Sequence, residues 1–363
     1  MIWGPKLTRN TKHLISHKAI NISPWGSLRG LRFKKMWLIL AFLSAALLGC
    51  YDTAKKRALI DNSVVMVLFF NTLFSSLIFL PFILLSAYTD VLDGSIFHVA
   101  TDGWSQHFYV LIKSCIVLSS WLLGYFAMKH LPLTIVGPIN ATRPVMVLIG
   151  AFAVFGERLN LMQWIGVFFA VVSFYMLKNS GKKEGINFKY NKWIWAAVVA
   201  SMLGAVSGMW DKYILAPAES GGVGCDRMLV QSWFNIYQCL MMGVAALVLS
   251  KINSNTEPVS ANVGRGFPSR ESSSESTSML GSFHWRWSII LVSITLSIAD
   301  FVYFYALSLP EAMISVVSMI RRSSVIVSFL FGAWLFHERN LKAKAFDLFL
   351  VLLGMIFLYL GSK

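Results

Sequence analysis

The chain has 363 residues, 56% of them hydrophobic and only 13% charged, with a mean hydropathy of +0.63 and a formal net charge of +15. That charged share is about half that of a soluble domain, and a soluble fold would have to hide too much apolar surface, so the solvent expected for this chain is lipid. In a soluble protein so basic a balance would point to nucleic acid; here the basic residues lie mainly in short stretches between apolar runs, where they read as topology determinants and contacts to anionic head groups.

Residues 1–35 carry eight Lys/Arg, no acidic residue and no apolar run. They are either a basic cytoplasmic tail or a segment outside the native protein, which would then start at Met36. From there, apolar stretches long enough to span a bilayer recur at 36–57, 63–88, 106–130, 132–156, 160–178, 192–215, 228–250, 286–308, 311–336 and 345–361. Inside a bilayer every backbone polar group needs an internal partner. The runs are continuous rather than alternating, so they are predicted to be helices and not barrel strands. The fold class expected is an all-α integral membrane protein of ten transmembrane helices. The first run, after Lys34-Lys35 and ending Leu47-Leu48-Gly49-Cys50, also resembles a lipoprotein signal, a competing explanation of the same residues.

Most connections are tight: His130-Leu131-Pro132 joins the third and fourth runs, and Leu309-Pro310 the eighth and ninth. A basic connecting loop is expected at 179–191. Residues 251–285, rich in Ser, Asn, Gly and Glu, have too little apolar content to pack and read as a disordered linker. Cys50, Cys115, Cys225 and Cys239 show no metal-ligand spacing and read as small buried hydrophobes rather than a disulfide framework.

The two halves of the chain repeat. Gly49-Cys50-Tyr51-Asp52 is echoed by Gly208-Met209-Trp210-Asp211. Tyr125-Phe126, Leu131-Pro132 and Arg143 recur as Tyr303-Phe304, Leu309-Pro310 and Arg321 at a constant separation of 178. Glu157-Arg158 recurs as Glu338-Arg339 with three extra residues inserted. The domains expected are therefore a first five-helix repeat at 36–178 and a second at 192–361. Because five is odd, the second half must enter the membrane from the opposite side, which places a site between the halves near the midplane.

At the junction of the fourth and fifth runs stand Phe155-Gly156-Glu157-Arg158-Leu159 and then Gln163-Trp164-Ile165-Gly166. With the repeat, these residues resemble the EamA-like transporters of the drug/metabolite transporter superfamily, over about 36–361 without the linker. The second copy, His337-Glu338-Arg339-Asn340-Leu341, lacks the glycine before the glutamate. The resemblance implies ten helices as two inverted repeats, transport rather than catalysis, residence in the cell (inner) membrane as a multi-pass protein, and export in slight preference to import.

An ionisable side chain inside a span is costly and therefore a functional candidate. Here these are Asp52, Lys55, Lys56, Lys113, Arg143, Asp211, Lys212, Asp300, Arg321 and Arg322. Arg143 and Arg321 each lie eleven residues past the proline that opens their helix, about 16 Å along the axis and so near the midplane. A guanidinium stays charged when buried and its fork suits a carboxylate or phosphate, so both are candidates for an anionic or zwitterionic substrate. The alternative is a structural ion pair with Asp52, Asp211 or Asp300. Pro138, Asn140 and Pro144 interrupt the helix of Arg143 and make 137–144 the expected cavity wall. Asp52 is expected to pair with Lys55 or Lys56 one turn on. Asp211 has no such partner three or four residues on and Asp300 has no counterpart in the other half; an unpaired buried carboxylate can carry a proton, which makes both proton-coupling candidates. Tyr51, Trp210, Tyr303 and Tyr305 are candidates to stack on a substrate, against the commoner role of packing. The binding set expected is thus Arg143, Arg321, Asn140, Asp52, Asp211, Trp210 and Tyr51, with Glu157 and Glu338 as repeat-motif residues.

No P-loop, zinc-protease helix or nucleophile elbow is present, so an enzyme is not expected. No cofactor or metal is expected. The partners expected are a small-molecule metabolite and the lipid bilayer, without nucleic acid; a homodimer stays open. The alternative to transport is a non-transport receptor or scaffold. Orientation stays open too: the family implies cytoplasmic termini. Thirteen basic residues nevertheless fall on the side opposite the N-terminus, against three or, with residues 1–35, eleven on its own side.

Overall fold

The computed structural model describes residues 24–100, 103–146, 160–182, 185–255, 283–309, 314–338 and 340–361. The chain divides into two units, Met1–Met36 and Trp37–Lys363. Among the described residues there is no strand. The helices are α1 (Pro24–Leu59), α2 (Val64–Tyr88), α3 (Trp104–His130), α4 (Leu133–Ala141), α5 (Leu161–Lys182), α6 (Lys192–Leu215), α7 (Arg227–Asn255), α8 (Trp287–Ser308), α9 (Ile314–Arg322), α10 (Ser324–Leu335) and α11 (Leu341–Gly361). Eight are long and apolar enough to cross a membrane: α1 from Met36, α2, α3, α5, α6, α7, α8 and α11.

These eight are the predicted spans apart from the fourth and the ninth, and those two are interrupted. The fourth run forms α4, breaks at Thr142 and resumes as a helical turn at 143–146; its remainder, 147–159, including Glu157, lies outside the described residues. The ninth run forms α9 and α10 on either side of Ser323. The two breaks are built alike. Thr142 (φ −77°, ψ −4°) donates both its N–H (3.2 Å) and its hydroxyl (2.7 Å) to Ile139 O. Ser323 (φ −65°, ψ −7°) donates the same two groups to Ile320 O, at 3.0 and 2.6 Å. A hydroxyl bonding back to the main chain competes with the helical ladder, and at Thr142 the nearby Pro144 removes one rung outright.

Helix directions follow from contacts that recur along each pair. α2 and α8 run parallel: Asn62 with His284, Asn71 with Ser293 and Ser75 with Ser297 all meet at a separation of 222 residues. α3 and α6 are antiparallel, as Ser120 Oγ donates to Ala200 O (2.7 Å) while Phe126 stacks on Trp193 further along. α2 and α7 are antiparallel through Ser76 and Asn235 O (2.8 Å) and through Phe69 beside Gly243. α4 and α10 are antiparallel, Gly137 lying against Val325 and Gly332 against Leu133. In the antiparallel pair α5 and α11, Gly166 and Gly354 face each other so closely that a Cβ on Gly166 would stand 2.8 Å from Gly354 O. Large apolar side chains such as Leu77, Phe108, Val171 and Leu247 are exposed on the outside of the bundle, where lipid would cover them. Small residues such as Ala41, Ala200 and Ala299 are buried between helices.

The ends of the predicted linker are structured. α7 continues to Asn255, Phe283 stacks on Phe70 at 5.0 Å, and His284 N–H donates to Asn62 Oδ1 at 2.6 Å; residues 256–282 lie outside the described residues. None of the four cysteines forms a disulfide among the described residues, but only Cys225 is fully buried and Cys115 is exposed. Its helix α3 turns that face outward, which the apolar character of the stretch alone does not reveal.

Candidate functional site

The break at Thr142 turns Arg143 toward α6, where glycine leaves room for it: a Cβ on Gly204 would stand 2.6 Å from Arg143 Cζ. One guanidinium nitrogen, Nη2, donates to Asn140 Oδ1 at 3.2 Å, and the same oxygen accepts from Ser201 Oγ at 3.0 Å. Asn140 therefore fixes Arg143 from within its own helix and ties it to α6. Arg143 Nε is buried with no hydrogen-bond partner among the described residues, and so is Arg321 Nε.

Arg321, at the end of α9, forms an ion pair with Asp300 of α8 and lies 4.1 Å over the ring of Tyr303. Arg322, next in the chain, has no carboxylate within ion-pair distance among the described residues, and nor does Arg143. On α1, Asp52 pairs with Lys55 at 2.8 Å, the intrahelical pair expected, and Lys55 Nζ sits 4.3 Å over Tyr51 and 5.2 Å from the Tyr125 ring centre. The hydroxyls of Tyr51 and Tyr125 meet at 3.5 Å.

These groups form one electrostatic cluster. The charges of Arg143, Arg321 and Arg322 act on one another, and that of Asp52 acts on Arg143 and Arg322. Among the described residues Lys55, Arg143, Arg321 and Arg322 face Asp52, Asp300 and, from Arg321, Asp211; as Asp211 is already paired with Lys113, two positive charges are left in excess within the bundle. In a medium of low dielectric like charges repel strongly, and an anion placed among them relieves the excess. The chemistry available is recognition of a carboxylate or phosphate by a guanidinium fork, with Tyr51 and Tyr303 as flanking rings.

Not every expected site residue joins this cluster at close range. Asp211, without a lysine or arginine three or four residues on, forms an ion pair across to Lys113 of α3, whose Nζ also lies 5.0 Å from the Phe234 ring and 5.2 Å from that of Phe304. Asp300 likewise has Arg321. The two proton-coupling candidates therefore each hold a cation, contrary to the unpaired state from which that role was reasoned. Trp210 spends its indole N–H on Tyr109 O (3.1 Å) and packs against Tyr109 and Tyr213 in the α3–α6 contact. Tyr305 stacks on Phe301 and lies under Arg227 at 5.3 Å.

Glu338 has a different place. The chain turns through His337 (φ 49°) and Asn340 (φ 55°) on either side of it, and its carboxylate accepts the N–H groups of Leu133 (2.7 Å) and Thr134 (2.9 Å) and the Thr134 hydroxyl. It caps the N-terminus of α4, where the helix dipole favours an anion. Lys56 does the converse at the end of α3, donating to Met128 O and Leu131 O, both at 2.6 Å. Arg322 and Lys113 were among the ionisable candidates but outside the expected binding set, and Ser201 was not singled out. The adjacent pair Arg321-Arg322 within a span was a visible signal for the first, whereas the other two depend on which helices become neighbours.

The model of the EamA-like transporter family matches residues 35–178. The matched stretch includes Phe155–Leu159 and Gln163–Gly166, the residues on which the resemblance rested. A curated relative, an uncharacterized transporter from Archaeoglobus fulgidus, is 30% identical over 149 residues, 40% of this chain and 49% of the relative. The alignment thus spans about half the relative's length. A crystal structure titled only as that of a protein superposes with a TM-score of 0.52 at 12% identity, covering 91% of this chain and 99% of the other. At that identity it speaks for the fold alone.

Proposed function

We propose that the protein is a secondary transmembrane transporter that moves a small anionic or zwitterionic metabolite by alternating access, in the cell membrane, with export the favoured direction. The observation that carries this reading is the pair of guanidiniums, Arg143 and Arg322, set inside a bundle of apolar helices without a carboxylate in ion-pair reach among the described residues. A protein that only had to be stable would gain nothing from an unneutralised excess of charge there. An anion that enters and leaves explains it, with Asn140 and Ser201 orienting Arg143, and Asp300 and Tyr303 orienting Arg321.

The architecture supports two inverted five-helix halves. The second helix of one half runs parallel to the third of the other, α2 beside α8, as opposite insertion requires. The interrupted fourth and ninth runs break with the same bonds at Thr142 and Ser323. The family match over 35–178 and the transporter relative support the class.

The test is metabolite profiling inside and outside cells expressing the protein or an Arg143→Gln/Arg322→Gln double variant at matched membrane levels. A single anionic solute redistributed by the unchanged protein and not by the variant is the expected result. If the two profiles coincide while the protein itself redistributes a solute, the arginines are not the binding site. If no solute moves in a complete metabolite set, the non-transport receptor or scaffold reading takes its place.

A further inference from the structure

Away from the charged cluster, α2, α7 and α8 meet along a seam of neutral polar side chains. On α7, Gln231, Asn235 and Gln238 recur at helical spacing on one face, with Ser232 beside them; on α2 stand Asn71, Thr72, Ser75 and Ser76; on α8, Ser293 and Ser297. All ten are buried. Some are satisfied within the seam: Ser293 Oγ donates to Asn71 O at 3.1 Å, Ser76 Oγ to Asn235 O at 2.8 Å, and Asn235 Nδ2 to Gln231 O at 2.7 Å. Four are not. Asn71 Nδ2, Gln231 Oε1, Ser232 Oγ and both ends of the Gln238 amide have no protein partner among the described residues, although Gln238, Ser232 and Asn71 are 0% exposed and Gln231 only 2%. Gln238 lies one turn from Asn235 on a helix antiparallel to α2, which sets it opposite the Asn71–Thr72 turn.

Buried polar atoms without partners are rare because the desolvation they suffer is not returned, and a concentration of them in one interface points to a ligand. Its chemistry follows from the atoms. A sodium or potassium ion would coordinate the oxygens but would be repelled by the amide N–H groups of Asn71 and Gln238. An anion would face the reverse conflict with Gln231 Oε1 and Gln238 Oε1. Only a molecule that both donates and accepts satisfies the whole set.

We propose that the α2–α7–α8 seam is an internal water site, with ordered water bonded to Asn71, Gln231, Ser232 and Gln238. The seam reaches Ser297, whose carbonyl accepts from Gln231 Nε2 at 3.4 Å and which stands one helical turn before Asp300. Water there hydrates the interior of the bundle up to the turn that carries the Asp300–Arg321 pair, whatever solute the protein handles.

Hydroxyl-radical footprinting of the full chain in lipid nanodiscs, in isotopically labelled water, tests this directly. Met242 lies one turn beyond Gln238 on α7, where the seam meets the apolar core, and is 2% exposed; Met355 is equally buried at 3% on α11, which takes no part in the seam. Radicals are formed from water where it lies, so Met242 is expected to be oxidised several-fold faster than Met355 and to take up the label. A Gln231→Leu/Gln238→Leu variant is expected to lose that excess. Equal protection of the two methionines in the unchanged protein overturns the proposal, and so does a folded variant that keeps the excess. The comparison within the unchanged protein decides the matter even where the variant does not fold.

Discussion

Lys113 and Asp211 form an ion pair that joins α3 of the first half to α6 of the second, with the lysine side chain only 4% exposed and the aspartate 20%. Breaking such a pair leaves a buried charge alone, whereas removing both charges does not. Lys113→Met is therefore expected to cost about 3–5 kcal/mol of stability, and Lys113→Met/Asp211→Leu to recover most of it. Thermal unfolding in detergent, followed for both variants and the unchanged protein, checks the pattern. Two additive losses would contradict it.

Arg143 contributes repulsion with Arg321 and Arg322 when no anion is present. Arg143→Gln is expected to leave stability unchanged or raise it by on the order of 1 kcal/mol while abolishing solute movement, the trade expected of a binding charge. A large loss of stability on this substitution would instead mark Arg143 as structural. Asp300→Asn is expected to act oppositely, lowering stability because Arg321 loses its counter-ion.

The carboxylate of Glu338 serves two main-chain donors and one hydroxyl at the start of α4. Glu338→Ala is expected to cost about 2 kcal/mol, with Glu338→Gln intermediate because an amide oxygen can serve one donor but brings no charge to the helix terminus. Limited proteolysis at the 131–134 connection, compared across the three proteins, reports the loosening. Indistinguishable cleavage would remove the cap from the account.

Two glycine substitutions should separate close packing from conformational freedom. Gly354→Ala puts a methyl 2.9 Å from Gly166 O and 3.4 Å from Phe169 Cβ, so α5 and α11 must separate; the expected cost is about 1–3 kcal/mol. Gly208→Ala, in the middle of α6, meets nothing within 4 Å and is expected to be neutral or to stabilise by about 0.5–1 kcal/mol. Their melting temperatures should move in opposite directions.

Continuous apolar runs made the spanning helices legible before any coordinates, because the bilayer leaves the backbone no other choice. The Asp52–Lys55 pair was legible for a similar reason: it is set by one helical turn and needs no tertiary contact. The partners of Asp211 and Asp300 were not, since Lys113 and Arg321 reach them from other helices and nothing local announces the meeting. Counting in from the two prolines aligned Arg143 with Arg321, 178 residues on. The breaks align Thr142 with Ser323, 181 apart, the same separation as Glu157 and Glu338. In that register Arg321 answers to Asn140, and the three inserted residues fall before the break rather than after it. Hydroxyl-to-carbonyl bonds decide that register, and a comparison of residue types does not carry them.

The bonds at Thr142 and Ser323 also have a mechanical meaning. A helix that bends in a membrane ordinarily strips a carbonyl of its donor with no water at hand to replace it. At both of these joints a side-chain hydroxyl and the main-chain N–H already hold the same carbonyl, so the segments on either side can swing without any group losing its last partner. Each break thus stands beside an arginine, Arg143 after Thr142 and Arg322 before Ser323, and the doubly held carbonyl keeps a donor if the angle between the flanking segments changes.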